Sequence, residues 1–316
     1  MKLIALDWGS SSFRAYLIDD AGQVAERVEN KSGVFSHSDG NFSATLMQAC
    51  GDWLKAWPQL PIIMSGMIGS RSGWIETPYL ACPLRKNQLA QHLCSVKNAA
   101  ELSLYVVPGI SANSPSDSPD VMRGEEVQIF GALQLADQRD AVLCLPGTHS
   151  KWANVKDASI HYFSTFFSGE MFALLKKHSS IGAVMDDDSR NASVDEDSFI
   201  QGVQYSRQAG GLLHHLFSAR ARLLTNCWTG KSLSAYLSGI VIGHEFSEAL
   251  KLYPTKNTIL LVGNSQLQQR YQLAAQEYHC TLKNIDAELA TVNGLCAIAN
   301  EHLLKNTRIL NKGTLC

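Results

Sequence analysis

Met1-Lys2-Leu3-Ile4-Ala5-Leu6-Asp7-Trp8-Gly9-Ser10-Ser11-Ser12 opens the chain, and the reading of this stretch decides the fold. Leu3 to Leu6 form a short apolar run that stops at Asp7, and Phe13 to Ile18 alternate behind a small-residue turn. That pattern predicts strand, tight turn, strand, with a second turn at Asp19-Asp20-Ala21-Gly22. The first turn has unusual chemistry, because a carboxylate stands at the mouth of an apolar strand beside Gly9 and three serines. Glycine lets the backbone approach an anion, and successive N–H groups in such a turn can cradle phosphate oxygens. A carboxylate beside them is where a Mg²⁺ on that phosphate would be held. The competing reading is a plain hairpin turn, since Gly and Ser are common in turns of every kind.

A second copy separates the two readings. Val142-Leu143-Cys144-Leu145 is another apolar run, followed by Pro146-Gly147-Thr148-His149-Ser150-Lys151-Trp152-Ala153. With Gly9 set on Gly147, Ser10 falls on Thr148, Ser12 on Ser150 and Ala15 on Ala153, whereas Asp7 meets Leu145. Each half of the chain therefore carries strand, Gly, hydroxyl, any residue, Ser, strand, and only the first copy carries the metal-type carboxylate. Such repetition predicts two related domains facing each other across a polyphosphate.

A chain of 316 residues, 45% hydrophobic and 18% charged, has the length for two domains and the apolar content for a globular core. A net charge of −2 without a long basic run argues against nucleic-acid or membrane binding through a charged surface. The opening apolar run is too short for a signal peptide, and no later stretch has the length of a membrane span. The eight cysteines lack zinc-type spacing, so reduced, packed thiols in a cytoplasmic protein are expected.

Along the first half, Gln23 to Glu29 continues the meander as a third strand. Phe42, Leu46, Cys50, Trp53, Leu54 and Trp57 recur at helical spacing behind Asp39 or Asn41 as N-cap, and Pro58 ends the helix. Ile62 to Met64 is a buried strand opening into the loop Ser65 to Arg71, Asn87 to Val96 reads as a helix, and Leu104 to Val107 as a strand. The order is β-β-β-α-β-α-β. Ser111 to Pro119, rich in Ser, Pro and Asp, is the expected hinge. In the second half, Glu125 to Ala136, Gly169 to His178, Asp197 to Leu224, Gly239 to Leu250, Leu267 to Glu277 and Ala290 to Leu304 read as helices. Ile160 to Phe167, Thr258 to Val262 and Cys280 to Ile285 read as strands. Asp186-Asp187-Asp188 reads as a solvated loop and His214-His215 as an exposed helix pair. Thr229-Gly230-Lys231-Ser232 mimics the end of a P-loop, but Thr225 stands where its first glycine belongs, so that motif is rejected.

Taken in order, several stretches resemble the 2-dehydro-3-deoxygalactonokinases, a family within the actin/hexokinase/Hsp70-like ATPases. They are Met64-Ser65-Gly66-Met67-Ile68-Gly69-Ser70-Arg71, Glu76-Thr77-Pro78-Tyr79, Met122-Arg123-Gly124-Glu125-Glu126, Pro146 to Trp152, Ser168 to Leu175, and Leu261-Val262-Gly263. Ser10 departs from the family's usual Thr but keeps the hydroxyl. The resemblance implies an α/β fold of two ribonuclease-H-like lobes, each β-β-β-α-β-α-β, with an ATP cleft between them. Residues 1–122 would form the N-terminal lobe, with the first phosphate hairpin and the sugar-acid site. Residues 123–316 would form the C-terminal lobe, with the catalytic carboxylate, the second phosphate hairpin and the adenosine site. The implied reaction is ATP- and Mg²⁺-dependent phosphorylation of the terminal (6-) hydroxyl of 2-dehydro-3-deoxy-D-galactonate, in galactonate catabolism. The alternatives are the gluconate epimer as acceptor, or a non-catalytic switch of the same fold that binds ATP and a sugar acid. Oligomeric state is left open, a homodimer included.

Phosphoryl transfer asks the protein mainly to position groups and neutralise charge. By the resemblance, Asp7 holds the Mg²⁺; Gly9, Ser10, Ser11, Gly147 and Thr148 hold the β- and γ-phosphates; Gly263 and Asn264 approach the adenosine. His149 is either a phosphate neighbour or an inert loop residue. Glu125 takes the position of the catalytic Asp in the Gly-Asp-Gln-Gln-x-x-x-Phe-Gly stretch of glycerol-kinase-like enzymes, with Glu126 and Asp120 in reserve. A substrate carboxylate calls for a planar cationic fork, for which Arg71 is first choice and Arg14 and Arg123 the others. Trp8, Trp74 and Tyr79 are placed against the sugar chain, with packing in the core as the competing role.

Overall fold

The structure is a computed structural model that describes residues 2–37, 40–97, 102–184, 195–225 and 230–312. Asp39, the Asp186-Asp187-Asp188 run, Cys227, Thr229 and Cys316 lie outside the described residues. The chain divides into two compact units. Unit 1 comprises Met1–Asp140, Val155–Tyr162 and Ala287–Cys316, and unit 2 comprises Ala141–Asn154 and Phe163–Asp286.

Unit 1 is built on β1 (Leu3–Trp8), β2 (Phe13–Ile18) and β3 (Val24–Asn30), the expected meander. Because β1 is apolar on both faces it is covered on both: Leu3, Ile4, Ala5, Leu6 and Trp8 are all buried. β3, with Glu26, Arg27 and Glu29, is the charged, exposed edge that such a sheet needs. Helix α1 (Phe42–Ala56) is capped by Asn41, whose side chain accepts from the Ala44 N–H, and its Phe42, Leu46, Cys50, Trp53 and Leu54 face the core. The chain then forms β4 (Ile62–Ser65), β5 (Tyr79–Ala81), β6 (Leu84–Arg85), α2 (Lys86–Gln91), β7 (Cys94–Ser95) and β8 (Leu104–Val106). The large sheet has the order β3-β2-β1-β4-β8-β7, with β1, β4 and β8 parallel. The helix expected over Asn87 to Val96 is thus a short helix followed by an edge strand.

Two other expectations fail in unit 1. Ser111 to Pro119 is not a hinge: β9 (Gly109–Asn113) and β10 (Pro119–Met122) pair antiparallel around it, and β5 joins them in a small sheet of order β10-β9-β5. Its Ser, Pro and Asp residues build the hairpin turn, in which Asp117 takes φ 56°. Nor does the chain divide at residue 122. Helix α3 (Glu125–Ala136) packs against α9 (Ala287–Lys312) so closely that a Cβ on Gly131 would sit 1.8 Å from the Ala290 carbonyl oxygen. A Cβ on Gly294 would sit 2.0 Å from that of Val127. Backbone against backbone at two glycines holds both helices in unit 1.

Unit 2 repeats the plan of unit 1. β11 (Ala141–Leu145), β12 (Ser150–Lys156) and β13 (Ser159–Phe166) form the second meander; the tip Val155–Tyr162 belongs to unit 1, where β13 begins on β6 at Ser159↔Arg85. After helices α4 (Ser168–His178), α5 (Glu196–Ser206), α6 (Gly211–Leu224) and α7 (Gly230–Leu252) come β14 (Ile259–Gly263), α8 (Ser265–Glu277) and β15 (Leu282–Asp286). The strand order β13-β12-β11-β14-β15 matches β3-β2-β1-β4-β8 of unit 1 position for position. The single helix expected over Asp197 to Leu224 is two, broken where Gly210 and Gly211 take φ 129° and 73°. His215 is wholly buried instead of exposed: its Nδ1 lies 2.9 Å from His244 Nε2 and its Nε2 lies 3.2 Å from the Ala209 carbonyl. The six described cysteines are free thiols. Among the described residues no helix is long and apolar enough to cross a membrane.

Candidate active site

In a parallel sheet, ligands collect beyond the carboxyl ends of strands where the strand order reverses direction. In unit 1 that point lies between β1 and β4. Asp7 faces Ser65 in the register of that pair, so the Asp7-Trp8-Gly9 turn and the Gly66 loop leave the sheet side by side. The Gly9 N–H donates to the Ser12 carbonyl at 2.9 Å, closing the turn, and Val34 and Phe35 N–H donate to the Gly9 and Ser10 carbonyls at 2.9 and 3.0 Å. The carbonyls are thereby used up on one side. Among the described residues no hydrogen bond engages the Ser10 and Ser11 N–H groups, which suits an anion.

Asp7 keeps one oxygen open. Its Oδ2 accepts from Arg14 Nη1 at 3.1 Å, while Oδ1 accepts nothing among the described residues. Burial pushes its carboxyl pKa up, and the Arg14 guanidinium pulls the other way. Arg14 also donates through Nε to Glu29 at 2.9 Å, so two carboxylates occupy the fork expected to take a substrate acid. Its role is to hold Asp7. Trp8 is likewise reassigned. It is fully buried, packed edge-on against Phe13, Phe42 and Trp74, and donates its Nε1–H to the Ser32 carbonyl at 2.9 Å. A large apolar ring next to a strand end is drawn into the core, where it serves as the floor of the turn. Trp74, half-buried, packs on that same cluster.

Gly66 ties Asp7 to the second carboxylate. With φ 92° and ψ −153°, it lies where a Cβ would sit 2.9 Å from the Trp8 carbonyl oxygen and 3.6 Å from Asp7 Oδ1. A Cβ on Gly124 would in turn sit 3.3 Å from Gly66 Cα. Gly124, at φ 110°, is the N-cap of α3, and Glu125 and Glu126 are its first helical residues. The two glutamates differ sharply. Glu126 is completely buried, both its oxygens accept the Gly124 N–H at 2.7 and 2.9 Å, and burial pushes its pKa up to about 8. It is a capping group. Glu125 is half-buried and accepts the Arg123 N–H at 3.1 Å. Asp120 sits on the β9–β10 hairpin, where its Oδ1 accepts the Val121 N–H at 2.7 Å. Of the three carboxylates, Glu125 is the half-buried one that directly follows Gly124, the residue packed against Gly66.

Arg123, weighed for the substrate acid, is instead a clamp: Nη1 donates to Thr77 Oγ1 and Nη2 to the Thr77 carbonyl, with the guanidinium 4.4 Å above the ring of Tyr79. Tyr79 is therefore partly covered by a cation. Arg71, exposed in the loop after Gly69, makes no ion pair among the described residues and keeps its fork free.

Unit 2 presents the matching pair of strand ends. β11 and β14 are parallel, so Gly147-Thr148 and Gly263-Asn264 leave the sheet as neighbours. A Cβ on Gly147 would touch nothing closer than 4.0 Å, leaving the turn open. Its other side is closed by α4: a Cβ on Gly169 would sit 2.2 Å from the Gly147 carbonyl, and the Glu170 N–H donates to the Thr148 carbonyl at 2.9 Å. His149 Nε2 lies 2.5 Å from Glu170 Oε2, which makes it a partner of α4. The Asn264 side chain caps α8 by accepting the Leu267 N–H at 3.0 Å through its Oδ1.

These turns can be set beside known proteins. A family model described as 2-keto-3-deoxy-galactonokinase matches residues 7–298. A 2-dehydro-3-deoxygalactonokinase from Escherichia coli (strain K12) is 31% identical over 299 residues, 95% of this chain and 98% of the relative. A crystal structure from Sinorhizobium meliloti, of a protein provisionally given the same enzyme name, aligns with TM-score 0.86 at 30% identity, over 94% of this chain and 98% of that one. The activator of the 2-hydroxyisocaproyl-CoA dehydratase from Clostridium difficile, solved with bound ADPNP, aligns with TM-score 0.53 over 97% of this chain and 98% of its own. Its identity is 11%, so that likeness bears on the fold alone.

Proposed function

The chain belongs to the 2-keto-3-deoxy-galactonokinase family, and on that premise we propose that it transfers the terminal phosphoryl group of ATP to the 6-hydroxyl of 2-keto-3-deoxygalactonate. The observation that carries the proposal is the family match across residues 7–298, which spans every turn described above. The enzyme is a phosphotransferase of this family, and its work is to place charge around a phosphoryl group in flight.

In this reading the open amides of Ser10 and Ser11 form one phosphate-binding turn, and Gly147 and Thr148 form a second. Gly263 and Asn264 approach the adenosine. A Mg²⁺ fits Asp7: a hard carboxylate oxygen is open at Oδ1, and one carboxylate with water and phosphate oxygens is the ion's usual complement. Among the described residues no group of three or more His, Cys, Asp or Glu forms an all-protein metal site, in keeping with an ion that arrives with the nucleotide. When bound, it supplies charge neutralisation of the phosphates.

Glu125 accepts the proton of the 6-hydroxyl as the oxygen bonds to phosphorus. The bond between the γ-phosphorus and its bridging oxygen breaks, ADP leaves with that oxygen, and the proton stays on the carboxylate. A carboxylate is a weak base, and it suffices because the hydroxyl grows acidic as the new bond forms. Arg71 offers its fork to the substrate's C1 carboxylate. We place the reaction in the cytoplasm, where ATP and free sugar acids meet.

The test is ADP release by the purified protein with Mg·ATP and four acceptors: 2-keto-3-deoxygalactonate, its gluconate epimer, glycerol and glucose. Turnover is expected with the galactonate acid, more slowly with the epimer, and not with glycerol or glucose. Equal rates with glucose, or none with either acid, would refute the assignment.

A further inference from the structure

Among its described residues unit 2 buries a carboxylate that the reaction as described does not use. Glu245 lies in the middle of α7 and is 2% exposed. Burying a carboxylate costs several kcal/mol unless its oxygens are satisfied. Here they are. Its Oε1 accepts from Ser150 Oγ at 2.7 Å and from Trp152 Nε1 at 2.8 Å, and its Oε2 accepts from Tyr271 Oη at 2.9 Å. The Ser168 hydroxyl also hydrogen-bonds to it.

The donors come from three separate places around the second phosphate turn. Ser150 and Trp152 begin the strand that leaves Gly147-Thr148. Ser168 opens α4, whose next residue, Gly169, presses on the Gly147 carbonyl. Tyr271 belongs to α8, the helix that starts at the Gly263-Asn264 turn. A single carboxylate therefore grips the strand after the turn, the helix end behind it and the helix of the neighbouring turn. Any of these contacts alone would be ordinary core satisfaction; their convergence on the borders of one open turn is not.

We infer that Glu245 is a positioning residue for phosphoryl transfer, fixing the Gly147-Thr148 turn through Ser150, Trp152 and Ser168. The inference rests on the reading of that turn as a phosphate site. Charge-assisted bonds from four donors leave the strand and α4 no freedom to slide past one another. A turn displaced by ~1 Å would misplace the γ-phosphate by a similar amount, which is worth ~100-fold in rate.

The experiment uses the full chain with four substitutions: E245A, E245Q, W152F and T148A. E245A is expected to lose ~100-fold in kcat, whereas W152F, whose donor lies on the strand after the phosphate turn and not on α8, should keep its Kd for adenosine within ~3-fold of wild type. E245Q can keep its carbonyl toward Trp152 and turn its NH₂ toward hydroxyls able to accept, so it is expected to recover most of the lost kcat. W152F removes one donor and should cost roughly 5-fold in kcat, which keeps the inference testable if E245A does not fold. Wild-type kcat in a folded E245A or in W152F overturns it. So does a loss of adenosine affinity in W152F that parallels its loss of kcat, which is what a purely structural role gives. T148A separates the two levels: if it leaves kcat and the KM for ATP unchanged, the phosphate reading itself is wrong; if it is impaired while the Glu245 variants are not, only the positioning inference fails.

Discussion

Substituting Gly66 by alanine should damage both stability and turnover, and the structure gives the size of each effect. At φ 92° and ψ −153°, Gly66 occupies backbone space nearly closed to other residues, which costs an alanine about 1–3 kcal/mol. Its new methyl would also lie 2.9 Å from the Trp8 carbonyl oxygen, closer than packed carbon and oxygen atoms settle. Relief of that overlap costs about another 1–3 kcal/mol and moves Trp8, Gly66 or both. The neighbours that move with them are Asp7 on one side and Gly124, with Glu125 behind it, on the other. We expect G66A to lose roughly 4 kcal/mol in urea unfolding, the sum of the two costs. Still folded, it should lose ~100-fold in kcat through misplacement of the two carboxylates. The control is G22A: Gly22 also has positive φ, 82°, but an added Cβ there meets nothing within 4 Å. That variant should lose only about 1–2 kcal/mol and no activity. Equal kcat in G66A and wild type, or equal losses in both variants, would refute the reasoning.

Three further predictions follow from single residues. E125A should bind Mg·ATP as the wild type does and lose at least ~100-fold in kcat, measured by calorimetry and ADP release; unchanged turnover would exclude Glu125 as base. R71A should raise the KM for the sugar acid ~10-fold or more with little change in the KM for ATP, and an unmoved KM would place the carboxylate fork elsewhere. The third concerns pH. Glu126 has a folded pKa of about 8, above its ordinary 4.5, so its contribution is greatest below about pH 4.5 and is lost as pH rises toward 8. E126Q should flatten the fall in stability between pH 5 and 8 by a few kcal/mol, read from urea midpoints; a wild-type slope in E126Q would rule this out.

Much of this architecture can be read from local pattern. The runs Leu3 to Leu6 and Val142 to Leu145 are apolar on both faces, which is what a strand inside a covered sheet requires, and both are buried in the structure. The repeated Gly–hydroxyl–x–Ser turn announced two meanders, and the two sheets share one strand order. What pattern could not reach was partnership between distant residues. Arg14 and Arg123 look like free forks until Glu29 and Thr77, both distant in sequence, arrive beside them. Trp8 stands next to a site carboxylate in sequence, yet alternation along β1 points the two side chains to opposite faces. His215 looked solvated because its face of α6 is mixed, and only His244 on α7 explains its burial. The division of the chain escaped for the same reason, since α9 returns to pack on α3 after the whole of unit 2 has intervened. The sequence does carry a signal for Glu245, a lone carboxylate in the run Ile240-Val241-Ile242-Gly243-His244-Glu245-Phe246, since such a residue must be held by donors if that run is buried.

The central claim is the transfer itself, and ³¹P NMR of a reaction with Mg·ATP and 2-keto-3-deoxygalactonate tests it most directly. We predict one new phosphate monoester, coupled to the protons on the terminal carbon, growing in step with ADP. Release of inorganic phosphate with ADP and no ester, or an ester at another carbon, would contradict the account.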